Sequence, residues 1–116
     1  MKTRLISLFC LSLLLLECSN KEVPTDTPTC VRNLIDQYKQ QPVTNPPARV
    51  YRYTYQGRTV YFIPQRCCDI ASLLYDESCT LRCSPDGGIS GGGDGRCTDF
   101  FATRTNEVLI WKDTRK

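Results

Sequence analysis

The sequence of 116 residues contains no histidine. Without imidazole there can be no Ser-His or Cys-His pair, so the commonest way of activating a hydroxyl or thiol nucleophile is excluded. The same absence removes a frequent zinc ligand, and the cysteines do not make it good: Cys67 and Cys68 are adjacent, and Cys79 and Cys83 are spaced C-x3-C. No C-x-x-C dithiol occurs either, which argues against thioredoxin-like redox chemistry. Charge of one sign is also lacking. From Cys18 onward 13 of the 15 basic and 11 of the 12 acidic residues remain, a near balance without the concentrated positive field of a nucleic-acid binder. No apolar run approaches the roughly 20 residues that span a bilayer.

A shorter apolar run is present. Lys2 and Arg4 precede residues 5–16 (LISLFCLSLLLL), which carry no charge, and this is the n-region and h-region of an export signal. Small residues suited to ordinary signal peptidase are missing at the end of the run, whereas Leu15-Leu16-Glu17-Cys18 resembles the lipobox of bacterial lipoproteins, with Glu17 where a small residue is usual. The expectation is a signal peptide over 1–17, lipidation at Cys18, a lipidated tether over 18–26 and a cysteine-rich domain over 27–116. Two or three acyl chains on Cys18 would make the lipid bilayer a lasting partner, since each buried methylene contributes about 0.8 kcal/mol.

About 100 residues make a domain of marginal core size. Six cysteines remain in it: Cys30, Cys67, Cys68, Cys79, Cys83 and Cys97. An even set in an exported chain reads as a disulfide framework with 15 possible pairings. A bond between the neighbours Cys67 and Cys68 departs from the usual Cα separation of about 5.5 Å, and setting it aside leaves 12 pairings open.

Thr27 and Pro28 open a helical pattern in which Cys30, Val31, Leu34, Ile35 and Tyr38 share a face, ending before Pro42. Residues 50–63 (VYRYTYQGRTVYFI) read as a β-hairpin turning at Gln56-Gly57. The alternation puts Tyr51, Tyr53 and Tyr55 on one face, as a surface for stacking on a ligand such as a sugar or as a stripe packed under a helix. Residues 68–75 (CDIASLLY) fit two helical turns capped by Asp69. Residues 84–96 (SPDGGISGGGDGR) hold six of the seven glycines, and residues 108–112 (VLIWK) form a last strand. The fold class is therefore α+β: an N-terminal helix packed on a small antiparallel sheet of the tyrosine hairpin and the C-terminal strand, stapled by disulfides.

The glycine loop carries Asp86 and Asp94, and with Asp99 these are weak calcium candidates; no cofactor is expected, and no catalytic set emerges. Cys67-Cys68-Asp69, Leu74-Tyr75-Asp76, Cys83-x-Pro85-Asp86-Gly87-Gly88, Gly93-Asp94-Gly95-x-Cys97 and Asp99-Phe100 together resemble an uncharacterised family of small bacterial lipoproteins, a domain of unknown function. The resemblance covers about residues 29–112 and implies a Gram-negative cell envelope without implying an activity. It also implies that the bond of Cys79, which stands where related chains often have glycine, is particular to this chain. The resulting expectation is a non-enzymatic binding or interaction module tethered to a membrane, with an envelope protein or glycan as partner. The alternative is a secreted-protease inhibitor or small hydrolase acting through the glycine loop.

Overall fold

The computed structural model describes residues 22–116. The export segment and Cys18 lie outside the described residues. Helix α1 (Thr29–Gln40) follows Pro28 and buries Val31, Ile35 and Tyr38, the i, i+4, i+7 stripe of its sequence. Thr27 makes no capping bond to it. Its other end is closed from far along the chain. Arg115 donates from Nη1 to the Lys39 carbonyl (2.7 Å) and from Nη2 to the carbonyls of Tyr38 (3.1 Å) and Gln41 (2.9 Å), so two acceptors of the last helical turn and the one just past it gain a donor. The buried Asp113 fixes Arg115 in a two-point pair, Nε to Oδ1 at 3.0 Å and Nη2 to Oδ2 at 2.8 Å.

Strands β1 (Arg49–Tyr55) and β2 (Arg58–Ile63) form the hairpin, and Gln56 and Gly57 both take positive φ, as a type I′ turn requires. Next come β3 (Leu73–Tyr75), β4 (Leu81–Cys83), a four-residue helix α2 (Phe100–Thr103) and β5 (Thr105–Lys112). The five strands are ordered β4-β3-β2-β1-β5, each pair antiparallel. The helix, the hairpin and the final strand are thus as the sequence suggests. Residues 68–75 are different. Cys68 and Asp69 stand at φ 75° and 68°, outside the helical region, and residues 73–75 pair with Ile63, Phe62 and Tyr61 of β2. A run this short has no period strong enough to resist the sheet edge offered by β2.

Both faces of the sheet are covered. On one, Val50, Tyr61, Ile63 and Ile110 meet Val31, Ile35 and Tyr38 of α1. On the other, Tyr53, Tyr55, Val60, Phe62, Leu74, Cys83 and Cys97 enclose Phe100. Phe100 is fully buried, and its ring lies edge-on to Tyr53 (5.5 Å) and Tyr55 (5.3 Å) and tilted against Phe62 (5.1 Å).

Three disulfides are present. Cys30–Cys79 ties α1 to the β3–β4 turn, and Cys83–Cys97 closes the glycine loop. Closing a loop of about 15 residues, as the second does, restricts the unfolded chain by about 3 kcal/mol. The third joins Cys67 to Cys68, which corrects the expectation that these neighbours could not pair. With Cys30 facing Cys79 and Cys83 facing Cys97, no other partner remains for them. The backbone accommodates the small ring by turning Cys68 and Asp69 into the left-handed region.

Phe100→Ala empties the centre of the second core and should cost about 3–5 kcal/mol, read as a fall in the midpoint of denaturant unfolding. The Arg115 guanidinium holds the Asp113 carboxyl below its usual range, against the opposing effect of burial. A folded-state value below the unfolded one gives stability that is present above about pH 4 and lost as pH falls through the folded value. Asp113→Asn should therefore lower the melting temperature at neutral pH, and the gap to the wild type should narrow in acid.

Candidate binding surface at the glycine loop

Residues 84–96 leave the sheet at Cys83 and end at Cys97, and the disulfide between these two brings both ends of the loop to one point. Within the loop the chain folds back on itself. Gly87 N–H donates to the Gly91 carbonyl (3.0 Å), Gly91 N–H to Gly88 (3.2 Å), Gly93 N–H to Gly87 (3.0 Å) and Asp94 N–H to Ser84 (2.9 Å). Glycine is required where the strands of the loop touch. A Cβ on Gly93 would stand 1.9 Å from the Ser84 carbonyl oxygen, with φ at +68° adding strain for any L side chain.

The loop is also fixed to the turn that carries the adjacent cysteines. The fully buried Ser72 donates its N–H to the Asp86 carbonyl (3.0 Å), and its hydroxyl bonds both that carbonyl (3.1 Å) and the Asp86 N–H (3.0 Å). A Cβ on Gly87 would meet Gln65 Oε1 at 2.6 Å and Ala71 Cα at 3.1 Å, so the two segments are in close backbone contact. Cys67, Cys68, Asp69 and Ile70 are exposed beside them. By loop-closure entropy a bond between neighbours contributes little to global stability. What it constrains is the shape of this turn.

The tip of the loop is Ile89, which is 95% exposed. It is the one large aliphatic side chain in residues 84–96, and that isolation among glycines was the signal in the sequence that could have singled it out. A lone exposed aliphatic residue needs no explanation on a mobile loop. Here the backbone beneath it is bonded across the loop and stapled at both ends, so the side chain is held out in water by a fixed frame. Within the loop Gly87 bridges Gly92.

The other candidate residues are placed as follows. Tyr53 and Tyr55 are in the second core beneath Phe100, and Tyr51 is half-buried, stacked on Tyr53 at 6.1 Å. The stripe is thus packing, and the ring faces of Tyr53 and Tyr55 are not open to a ligand. Their hydroxyls reach the margin and donate to carboxylates, Tyr53 to Glu107 and Tyr55 to Asp99. Both phenols are raised, Tyr53 first by burial and Tyr55 first by its bond to Asp99. Asp94 accepts from the Arg96 N–H and Nε, and these bonds lower its carboxyl. Asp86 serves mainly through its backbone, with Oδ1 buried and unpartnered. Among the described residues no group of three or more Asp, Glu, Cys or His side chains is assembled for a metal. Asp86, Asp94 and Asp99 therefore form no common calcium cage.

A family described as Domain of unknown function (DUF6970) matches residues 36–113. No curated protein matches the chain. No solved structure matches it.

The glycines make a sharp comparison. Gly93→Ala should lower the melting temperature by several degrees, whereas Gly92→Ala, whose added methyl would find its nearest neighbour at 3.9 Å, should be close to neutral in thermal denaturation.

Proposed function

This chain belongs to the DUF6970 family, and we propose that it is an envelope-anchored binding module that docks a partner protein through the glycine loop. The observation that carries the reading is Ile89, almost wholly exposed on a loop whose backbone is rigidly bonded. An apolar anchor held ready in one conformation loses little entropy on entering a partner's pocket, which is how a small surface gains affinity. The exposed Ile70 and the Cys67–Cys68 ring stand on the segment packed against the loop and extend the surface around it. The partner chemistry this fits is an apolar pocket on another envelope protein.

The anchor is the second part of the proposal. The uncharged run ending at Leu15-Leu16-Glu17-Cys18 supports export and acylation at Cys18, in the envelope of a Gram-negative bacterium.

Site-specific photo-crosslinking in the intact cell tests both parts. A photoreactive residue in place of Ile89 should give a discrete adduct with one protein, while the same residue in place of the exposed Arg58 at the far hairpin turn should not. Ile89→Glu should abolish partner binding without moving the melting temperature, and Cys18→Ala should release the chain from membranes. Equal adducts from both positions, or none from position 89 in folded protein, would overturn the docking reading. A wild-type chain that is soluble and unacylated would overturn the anchor.

A further inference from the structure

The segment expected to be a free tether is in part docked on the domain. Val23 packs against the α1 core, and the Pro24 carbonyl accepts from the Thr27 N–H (3.0 Å) and from Arg32 Nη2 (2.6 Å). Arg32 Nε also donates to the Thr27 carbonyl at 3.2 Å, so one guanidinium clamps residues 24–27 to the helix. Only Ser19, Asn20 and Lys21 then separate Cys18 from Glu22. Fully extended, that connection reaches about 14 Å between Cα atoms. If Cys18 carries lipid, the face of the domain near Glu22 must lie close to the bilayer surface.

That face has the matching chemistry. Glu22 and Val23 border a groove of about 810 Å³ between α1 and β5. Strand β5 is a sheet edge, so no further strand covers its outer side. Leu109 is exposed there and Trp111 is half-buried, stacked at 6.4 Å on Tyr38. Lys39 and Lys112 stand on the rim, against the carboxylates of Glu22 and Asp36, the latter 3.9 Å from Lys39. Tryptophan prefers the headgroup level of a bilayer, and lysine stems lie along apolar surface while the ammonium reaches phosphate. Among the described residues no helix is long and apolar enough to cross a membrane, so contact here is peripheral.

We infer that the groove between α1 and the β5 edge is a lipid-facing surface that seats the domain on the bilayer, with Trp111 and Leu109 at the headgroup boundary. This rests on the anchor at Cys18. It also places the glycine loop, which follows β4, at the sheet edge opposite the seated one. The tether then limits distance, and the groove limits rotation.

Trp111 is the only tryptophan in the chain and reports on this directly. The acylated full-length protein is reconstituted into phosphatidylethanolamine–phosphatidylglycerol vesicles, with and without brominated acyl chains. Vesicle flotation and tryptophan emission are measured on the same samples. The expected result is flotation together with a loss of Trp111 emission in brominated vesicles, and a smaller loss for Leu109→Glu, which should float equally. Flotation without quenching would overturn the lipid-facing groove and leave the anchor standing; a strand-adding peptide or a second copy of the chain on β5 would give this result. Failure to float would overturn the anchor, and the inference with it.

Discussion

The packing of Phe100 against Tyr53, Tyr55 and Phe62 is the contact on which the rest of the structure depends. A five-stranded sheet with one helix would leave an apolar, aromatic face in water. Covering it falls to a glycine-rich stretch of chain whose one large fully buried side chain is Phe100. Once that ring is seated, the chain must cross the second face from β4 at one edge to β5 at the other. The Cys83–Cys97 bond shortens the crossing to a fixed span, and the glycine loop is what remains outside it.

The polar groups on this face are arranged to let the aromatics be buried. A tyrosine in a core is tolerated when its hydroxyl finds an acceptor, and here each buried hydroxyl meets a carboxylate from the covering segment or from β5. Arg104 adds a cation over the rings of Tyr53 and Phe101 at 4.9 and 4.8 Å. Glu107 and Asp99 are therefore already committed to holding the fold. The surface proposed for docking is instead a few apolar atoms displayed at the loop tip.

The two surfaces proposed above are separated by the sheet. One edge, β5 with α1, carries the docked N-terminal segment and the single tryptophan. The other edge, β4, leads into the glycine loop and its exposed isoleucine. The docking and membrane surfaces proposed above lie at opposite edges, so a stiff body is needed to hold them in fixed relation. The antiparallel sheet, braced by disulfides at the α1 side and the loop side, supplies it.

The sequence by itself determined the elements whose information is local. Helix α1 is legible because Val31, Ile35 and Tyr38 recur at the helical period, and the hairpin because Gln56-Gly57 interrupts an alternating β-branched and aromatic run. The even set of cysteines and the glycine-rich loop are legible in the same way, from composition at known positions. Tertiary structure alone decided which cysteines pair, that residues 73–75 become a strand, that Tyr53 and Tyr55 are core, and that residues 22–26 lie on the domain. Each of these turns on a neighbour distant in sequence: β2 recruits β3, Phe100 covers the tyrosines, and Arg32 holds Pro24. Periodicity and turn residues encode what a segment prefers next to itself, whereas pairing and burial depend on which other segment arrives.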